Sequence, residues 1–411
     1  MIKVSYYFDN QTIPKNVSNE EQRFVLLRLQ SEVEVPRTKL NLCFVLDKSG
    51  SMDGAPIENL KRAVKDVVDL MEEEDRVSVI LFDSEARVLI SNSPLDRKKE
   101  IKNRIEEIDA LGGTCIDEGL EKGIEQIEVF KEKEYVNWLI LLTDGKNEHG
   151  DDEKCLYLAK EARKRSISIT ALGLGKYWDP TLLEKIADFS SGRMFYLENP
   201  EDLRERFKKE LQMLKNIAFK DLVLKVKLTP IARFSELNPG FVVTPQIQRV
   251  EPLWNGEEWE FEVGNMSRNS EKLVVLHMFL KAPPHPYINK VAEMTLQYKD
   301  LNGKTSNTES HTLIIEATEL YSPQINQEVR EVIDRVSVYL QQQIVESLLE
   351  ENKPNEALTV LQTMEHTVMK LEDEELKGLI EENIEKIKEE GTISEDLRLK
   401  TKVQTKMVME E

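Results

Sequence analysis

The chain has 411 residues, of which 40% are hydrophobic and 32% are charged, with only 15 Pro and 17 Gly. This length exceeds what one hydrophobic core organises, so we expect two or three folded domains, and the composition excludes a disordered or fibrous chain. Acidic residues outnumber basic ones by 76 to 56, for a formal net charge of −20. That charge disfavours nucleic acid and anionic lipid as partners and favours divalent cations or basic proteins.

The cysteines and the apolar runs indicate where in the cell the protein is expected. Cys43, Cys115 and Cys155 form no Cys-x-x-Cys pair and cannot all be joined in disulfides, which indicates a reducing environment. No apolar run reaches the roughly 18 residues of a membrane-spanning helix, and the first residues lack the apolar core of a signal peptide. We therefore predict a cytoplasmic protein without a membrane span.

The first two thirds of the chain predict an α/β domain flanked by strands. Residues 1–38 hold two strand-like runs, "KVSYYF" and "RFVLLRLQSEVEV". Across 39–216, short apolar runs alternate with amphipathic stretches, which predicts a doubly wound, mainly parallel, Rossmann-like sheet with helices on both faces. The run "VNWLILLT" has the composition of a central strand, and "RVSVILFDSEARVLI" predicts a hairpin with an antiparallel edge strand. The helical patterns lie around 57–73, 96–108, 116–131, 152–165, 180–189 and 200–215.

The remainder predicts a β-sandwich and a helical bundle. Residues 217–318 show short strands separated by Pro-Gly, Asn-Gly and Pro-Pro, which are typical of a sandwich. We expect residues 1–38 to complete that sandwich, so that the α/β domain is inserted in it. Residues 319–391 predict three amphipathic helices in a bundle, and the tail 392–411 has too little pattern to assign. The first helical stripe comprises Ile325, Val329, Val332, Val336, Leu340, Ile344 and Leu348.

Polar oxygen-bearing residues follow the apolar strands of the α/β domain. Asp47 ends the run "LCFVL" and begins the motif Asp47-x-Ser49-x-Ser51, while Asp144 follows "WLILLT". Ligands of open α/β sheets gather beyond the carboxyl ends of the strands, so both carboxylates are expected at one edge. Thr114, after two glycines in "ALGGTCIDEGL", can join them.

This set contains only oxygen ligands. Asp47, Ser49, Ser51, Thr114 and Asp144 offer two charges and three hydroxyls, which suits a hard cation such as Mg²⁺, with Mn²⁺ or Ca²⁺ as alternatives. Because two carboxylates leave the shell near neutral, a carboxylate from outside can replace a bound water. The sequence thus predicts a recognition site for an acidic residue.

The motif order identifies a resemblance. The stretches "DKSGSM", "GGT", "LLTDG", "GLG" and "SGRMFYL", spread over about 39–216, resemble the von Willebrand factor type A family and its metal-ion-dependent adhesion site (MIDAS). The resemblance assigns Asp47, Ser49 and Ser51 to the first metal-binding loop, Thr114 to the second and Asp144 to the third. It implies Mg²⁺ as the usual metal, an Asp or Glu of a protein partner as the last ligand, and a mobile last helix near 200–215. An A domain inserted in a sandwich is similar to the integrin β chain and the inter-α-trypsin-inhibitor heavy chains.

Several nearby residues have simpler interpretations. Lys48 is expected to be a solvated loop lysine, Asp83 a hairpin-turn residue and His149 a surface loop residue. Asp151 and Asp152 are expected to cap a helix. Cys115 is expected to be a small buried residue at a helix start, and Trp254 and Trp259 to pack in the core, since exposure would instead mark an interface.

Three functions compete. The first is a non-enzymatic, metal-dependent protein-binding module acting as a scaffold or as a regulatory subunit beside an ATPase or signalling enzyme. The second is a metal-dependent phosphohydrolase of the haloacid-dehalogenase type, although position 49 is Ser where those enzymes have a second Asp. The third is a scaffold that keeps an unused metal site. No phosphate-binding Gly-x-x-x-x-Gly-Lys-Ser/Thr loop is present, which argues against an ATPase in this chain.

Overall fold

The computed structural model describes residues 1–15, 19–33, 37–281, 283, 285, 287–319 and 323–408. It divides into two compact units. Unit 1 comprises Met1–Glu34, Asp221–Lys299 and Thr305–Glu411, and unit 2 comprises Val35–Lys220 and Asp300–Lys304. The chain of unit 2 therefore interrupts the chain of unit 1.

The strands and helices follow in chain order. The strands before the helical layers are β1 (Ile2–Phe8), β2 (Thr12–Pro14) and β3 (Glu21–Ser31). The α/β part then contains β4 (Lys39–Asp47), α1 (Ala55–Leu70), β5 (Arg76–Phe82), β6 (Ala86–Pro94), α2 (Lys98–Glu106), α3 (Ile116–Glu128), β7 (Tyr135–Thr143), α4 (Asp152–Lys164), β8 (Ile167–Leu174), α5 (Pro180–Phe189), β9 (Met194–Leu197) and α6 (Leu203–Lys215).

The second half begins with strands and ends with helices. Its strands are β10 (Ile217–Leu228), β11 (Ala232–Phe234), β12 (Gly240–Val242), β13 (Gln248–Arg249), β14 (Leu253–Trp254), β15 (Trp259–Ser267), β16 (Glu271–Leu280), β17 (Ile288–Lys299), β18 (Thr305–Asn307) and β19 (His311–Thr318). Its helices are α7 (Gln327–Glu350), α8 (Pro354–Leu371), α9 (Glu374–Glu390) and α10 (Glu395–Lys406). No helix among the described residues is long and apolar enough to cross a membrane.

Unit 2 has the predicted α/β architecture. Its sheet has the order β6-β5-β4-β7-β8-β9, in which only β6 runs antiparallel, at the edge. Strands β4, β7 and β8 lie inside the sheet and are buried along most or all of their length, as their continuous apolar sequences require. Pro56 and Pro180 stand in the first turns of α1 and α5, where a missing amide costs nothing.

Unit 1 contains two sheets whose strands come from both sides of unit 2 in the sequence. One has the order β1-β3-β16-β12-β13, with β11 on β16, and the other has the order β14-β15-β10-β17-β19-β2, with β18 on β17. A long antiparallel pairing joins β3 to β16, from Glu21 opposite Leu280 to Gln30 opposite Glu271. The short parallel pairing of β2 with β19 was not predicted, since residues 12–14 were assigned to a polar connection.

The helical end of unit 1 differs from the prediction in two respects. A fourth helix, α10, occupies most of the tail that was left unassigned. The predicted stripe of the first helix is also wrong in part, because Ile325 precedes α7 and Ile344 is exposed on it. Helix α7 buries different faces along its length: Val336 packs with sheet residues, while Val345 packs with α8 to α10. A single stripe cannot describe a helix with two partners.

The prediction that both tryptophans of the "LWNGEEWEF" hairpin lie in the core is wrong for Trp254. Its side chain is 55% exposed, while Trp259 is half-buried and stands opposite it across the hairpin. Strand β14 is the terminal strand of its sheet, so Trp254 has a neighbour on one side only.

Candidate metal centre

The candidate metal centre lies at the carboxyl ends of β4 and β7 in unit 2. These two strands are parallel neighbours whose register places Leu46 opposite Leu142. Asp47 is the last residue of β4, and Asp144 directly follows β7. The two carboxylates therefore emerge side by side at one edge of the sheet, as the sequence predicts.

The two serines of the first loop connect these carboxylates. The backbone amide of Ser49 donates to Asp47 Oδ1 at 2.8 Å. The hydroxyls of Ser49 and Ser51 lie 3.1 Å apart, and Ser51 Oγ donates to Asp144 Oδ1 at 2.7 Å. The structure thus brings four of the five predicted ligands into one hydrogen-bonded cluster of oxygen atoms.

Thr114 reaches the same edge from the second loop. A Cβ placed on Gly145, next to Asp144, would stand 3.1 Å from Thr114 Oγ1, so these two loops lie in close contact. The backbone amide of His149 donates to the Thr114 carbonyl at 3.1 Å. All five side chains therefore belong to three loops that touch one another, with Thr114 buried and Ser51 exposed.

Asp47 is fully buried, and its surroundings disfavour the charged form of its carboxyl group. Burial raises the pKa of Asp47 to about 6, although hydrogen bonds from Thr143 and Ser49 oppose the rise, and the nearby charge of Asp144 adds to it. Thr143 Oγ1 donates to Asp47 Oδ2 at 2.6 Å. Burial also raises the pKa of Asp144, against the hydrogen bond from Ser51. Two partly desolvated carboxylates in one cluster are destabilised unless a cation or a proton joins them.

The interpretation of Lys48 as a solvated lysine is wrong. Its side chain is buried, and its Nζ donates to Asp83 Oδ2 and, at 3.2 Å, to the carbonyl of Leu111. Asp83 lies in the β5–β6 turn, as predicted. Burial would raise the pKa of Asp83, but the hydrogen bonds from Lys48 and from the backbone outweigh it and lower that pKa.

The other interpreted residues lie as predicted. His149 is exposed in its loop, and Cys115 is buried directly before α3. All three cysteines are free and buried. The Asp151 side chain accepts from the amide of Lys154 and so caps α4, while Asp152 lies in the first turn of that helix.

Sequence patterns missed the residues that support the site. Thr143 holds Asp47, Ser84 Oγ accepts from the amide of Gly113 at 3.0 Å, and Asn147 Oδ1 accepts from the amide of Ile116 at 2.7 Å. Only Thr143 carried a signal, since it occupies the strand end next to Asp144. The others reach their partners through the fold alone.

The donor set fits a hard divalent cation. It consists of two carboxylates and three hydroxyls, without nitrogen or sulfur, which is the chemistry that Mg²⁺ prefers. Among the residues that the structure describes, no group of three or more His, Cys, Asp or Glu side chains is arranged to hold a metal. A metal at this edge would therefore depend on the serine and threonine hydroxyls as well as on Asp47 and Asp144.

Comparisons with known proteins match two parts of the chain to described families. The family model described as von Willebrand factor type A domain matches residues 41–209, and the model described as Sll0103-like, C-terminal alpha-helical domain matches residues 327–411. Protein sll0103 of Synechocystis is 31% identical over 396 residues, which is 96% of this chain and 94% of that protein. Inter-alpha-trypsin inhibitor heavy chain H3 of Homo sapiens is 28% identical over 211 residues, 48% of this chain and 23% of that protein.

A solved structure shares the fold over nearly the whole length. The von Willebrand factor type A protein from Catenulispora acidiphila superposes with a TM-score of 0.85 at 16% identity, covering 99% of this chain and 97% of that one. The fold relationship thus extends through both units, beyond the residues that carry the motifs. The chain belongs to the von Willebrand factor type A domain family, and it shares with Synechocystis sll0103 both the A domain and the C-terminal helical domain.

Proposed function

We propose that unit 2 is a metal-dependent protein-binding module in which Asp47, Ser49, Ser51, Thr114 and Asp144 hold Mg²⁺. The bound ion would supply a Lewis-acidic position for an Asp or Glu side chain of a protein partner. A domains are general protein-interaction modules, which supports this class of function for the chain. The partner's carboxylate would complete the ligand shell in place of a water molecule.

The observation that carries this proposal is the hydrogen-bonded cluster at the ends of β4 and β7. Ser51 Oγ lies 2.7 Å from Asp144 Oδ1 and 3.1 Å from Ser49 Oγ, so oxygen atoms from two loops already converge. Ser51 is exposed, which leaves the cluster accessible from solvent at the side where a partner would approach.

A non-catalytic role agrees with the same geometry. A phosphohydrolase of the haloacid-dehalogenase type needs an acid two positions after its nucleophile, and here Ser49 stands there, hydrogen-bonded to Ser51. The matched A-domain relatives include inter-alpha-trypsin inhibitor heavy chain H3, which carries the module within a larger protein. We infer that this chain binds a partner rather than transforming a substrate.

The rest of the chain suits a scaffold or regulatory subunit in the cytoplasm. We infer that the two sheets of unit 1 form a β-sandwich into which the A domain is inserted. The four helices α7 to α10 share a continuous apolar core, which includes Val345, Leu361 and Ile384. They would offer a second, separate surface for other components of a complex, for example an ATPase or a signalling enzyme.

Isothermal titration with Mg²⁺ tests the proposal. The wild-type protein should bind one Mg²⁺ per chain, and Asp144→Asn should remove most of the binding heat, because it takes away one of two ligand charges. Asp53→Asn is a matched control, since Asp53 is an exposed carboxylate in the same first loop that is not among the five predicted ligands. The Asp53 variant should bind Mg²⁺ within about threefold of the wild type, through long-range charge alone.

The partner interaction needs its own measurement. The wild-type chain should crosslink to a partner protein in Mg²⁺ buffer. This crosslink should disappear when EDTA is added and in the Asp144→Asn variant, and it should remain in the Asp53→Asn variant. Equal Mg²⁺ binding by wild type and Asp144→Asn would overturn the metal assignment. Crosslinking that is unchanged by EDTA and by Asp144→Asn would show that the partner binds another surface.

A further inference from the structure

We propose that the ion pair between the buried Lys48 and the partly exposed Asp83 is a positioning clamp that holds the Thr114 loop where its hydroxyl can bind the metal. This inference rests on the proposed metal function and assigns a role to two residues outside the predicted ligand set. Lys48 stands inside the motif Asp47-x-Ser49, yet its side chain points away from the cluster toward the β5–β6 turn.

The clamp joins three loops through backbone and side chain together. The amide of Lys48 donates to the Phe82 carbonyl at 2.9 Å, and the Lys48 carbonyl accepts from the amide of Leu111 at 2.7 Å. Its Nζ reaches both Asp83 and the Leu111 carbonyl. One lysine therefore ties the first metal-binding loop to the hairpin turn and to the start of the Thr114 loop.

Successive residues of the Thr114 loop contact the β5–β6 turn and the first loop. Gly112 has a φ of +98°, and a Cβ there would stand 2.8 Å from the Asp83 Cβ. The Gly112 carbonyl accepts from the amide of Gly50 at 3.0 Å, and the amide of Gly113 donates to Ser84 Oγ at 3.0 Å. The loop thus has close neighbours on both sides directly before Thr114, and Asp83 forms one of them.

Because Lys48 is positively charged, the direction of the change in Mg²⁺ affinity on its removal tests the inference. A lysine beside a cation site repels the cation, so its removal should tighten Mg²⁺ binding if charge were its only influence. If Lys48 acts by holding the loop, its removal should weaken Mg²⁺ binding, because residues that orient metal ligands commonly contribute about 10- to 100-fold to metal affinity. The two explanations predict opposite changes.

The experiment compares Mg²⁺ titrations of the full chain carrying Lys48→Met, the charge-conserving double variant Lys48→Met/Asp83→Asn, and Lys146→Met. Lys146 is exposed and lies two residues after Asp144, so its replacement makes the same charge change next to the site without touching the clamp. We expect about tenfold weaker binding or more in the first two proteins and equal or tighter binding in Lys146→Met.

Hydrogen–deuterium exchange separates positioning from general destabilisation. In EDTA, peptides covering 109–116 should exchange faster in both Lys48 variants, while peptides from β7 keep their wild-type protection. Unchanged or tighter Mg²⁺ binding in the double variant, with wild-type exchange of 109–116, would overturn the clamp while leaving the metal site intact. Absence of Mg²⁺ binding by the wild-type chain would overturn the proposed function, and the clamp with it.

Discussion

Unit 2 contains two clusters of polar side chains around buried carboxylates, and the two differ in how the negative charge is balanced. At the carboxyl ends of β4 and β7, Asp47 and Asp144 share one set of hydroxyls; burial raises the pKa of both carboxyl groups, and the charge of Asp144 adds to the rise at Asp47. Away from that edge, the fully buried Glu210 of α6 accepts from Arg193 at 3.0 Å and from Thr170 at 2.6 Å. The first cluster gains from an added cation, whereas the second already contains its own.

The second cluster has the form of a structural anchor. Arg206 lies 3.5 Å from the same Glu210 oxygen and also stacks over Phe195, while Thr170 accepts from the Trp138 indole at 2.8 Å. These contacts attach α6, the last helix of the α/β part, to the sheet. The contrast teaches that burial of a carboxylate alone does not distinguish the two clusters, and that the balance of charge among the neighbouring groups does.

The largest effect is expected from breaking the balanced cluster. Glu210→Gln removes the charge of a buried carboxylate that pairs with Arg193 and lies 3.5 Å from Arg206, so we expect the free energy of unfolding to fall by about 3–5 kcal/mol. Thermal unfolding followed by the fluorescence of Trp138 and Trp178, both buried in unit 2, would measure it. The control Glu205→Gln changes an exposed glutamate of the same helix and should leave the midpoint nearly unchanged. Equal midpoints for the two variants would contradict the comparison.

A smaller effect is expected from the unbalanced cluster in metal-free protein. The pKa of Asp47 is raised from its ordinary 3.8 to about 6, so its contribution is fully present below about pH 4 and is lost as the pH rises through 6. Stability in EDTA should therefore fall by on the order of 2 kcal/mol more between pH 4 and 7 in the wild type than in Asp47→Asn. Urea unfolding at a series of pH values provides the measurement. Parallel curves for the two proteins would show that Asp47 titrates normally.

The smallest effect is expected where carboxylates face solvent. Asp69 pairs with Lys102 at 2.7 Å on the surface of unit 2, in a groove that also includes Arg62, Glu106 and Arg204. Lys102→Met should change the free energy of unfolding by less than about 1 kcal/mol, because water already solvates both charges. The same fluorescence assay applies, with Lys102→Arg as the charge-conserving control. A fall in the free energy of unfolding as large as that of Glu210→Gln would show that burial does not determine how much an ion pair contributes to stability.

The five candidate ligands could be proposed from the sequence because each of them is tied to a local pattern. Asp47 and Asp144 stand at the ends of strongly apolar strands, and parallel strands bring such ends to one edge. The Lys48–Asp83 pair had no such signal. Its members lie 35 residues apart, and a lysine in a polar loop is solvated unless the fold covers it.

Packing between elements explains the other differences from the prediction. Helix α10 escaped assignment because much of what it buries is polar, including Thr401, which accepts from Asn383 at 2.7 Å. Trp254 was placed in the core because a strand pattern does not reveal that its strand ends a sheet.

The sequence by itself determined the A-domain fold and the oxygen-only ligand candidates, because strand periodicity and strand-end carboxylates are local properties of the chain. Only the tertiary structure decided which buried charges balance one another. Glu210 pairs with Arg193 and Lys48 pairs with Asp83 through contacts between distant segments, whereas Asp47 lies beside the like charge of Asp144. The energy of a buried charge depends on its neighbours in space, and no pattern along the chain contains them.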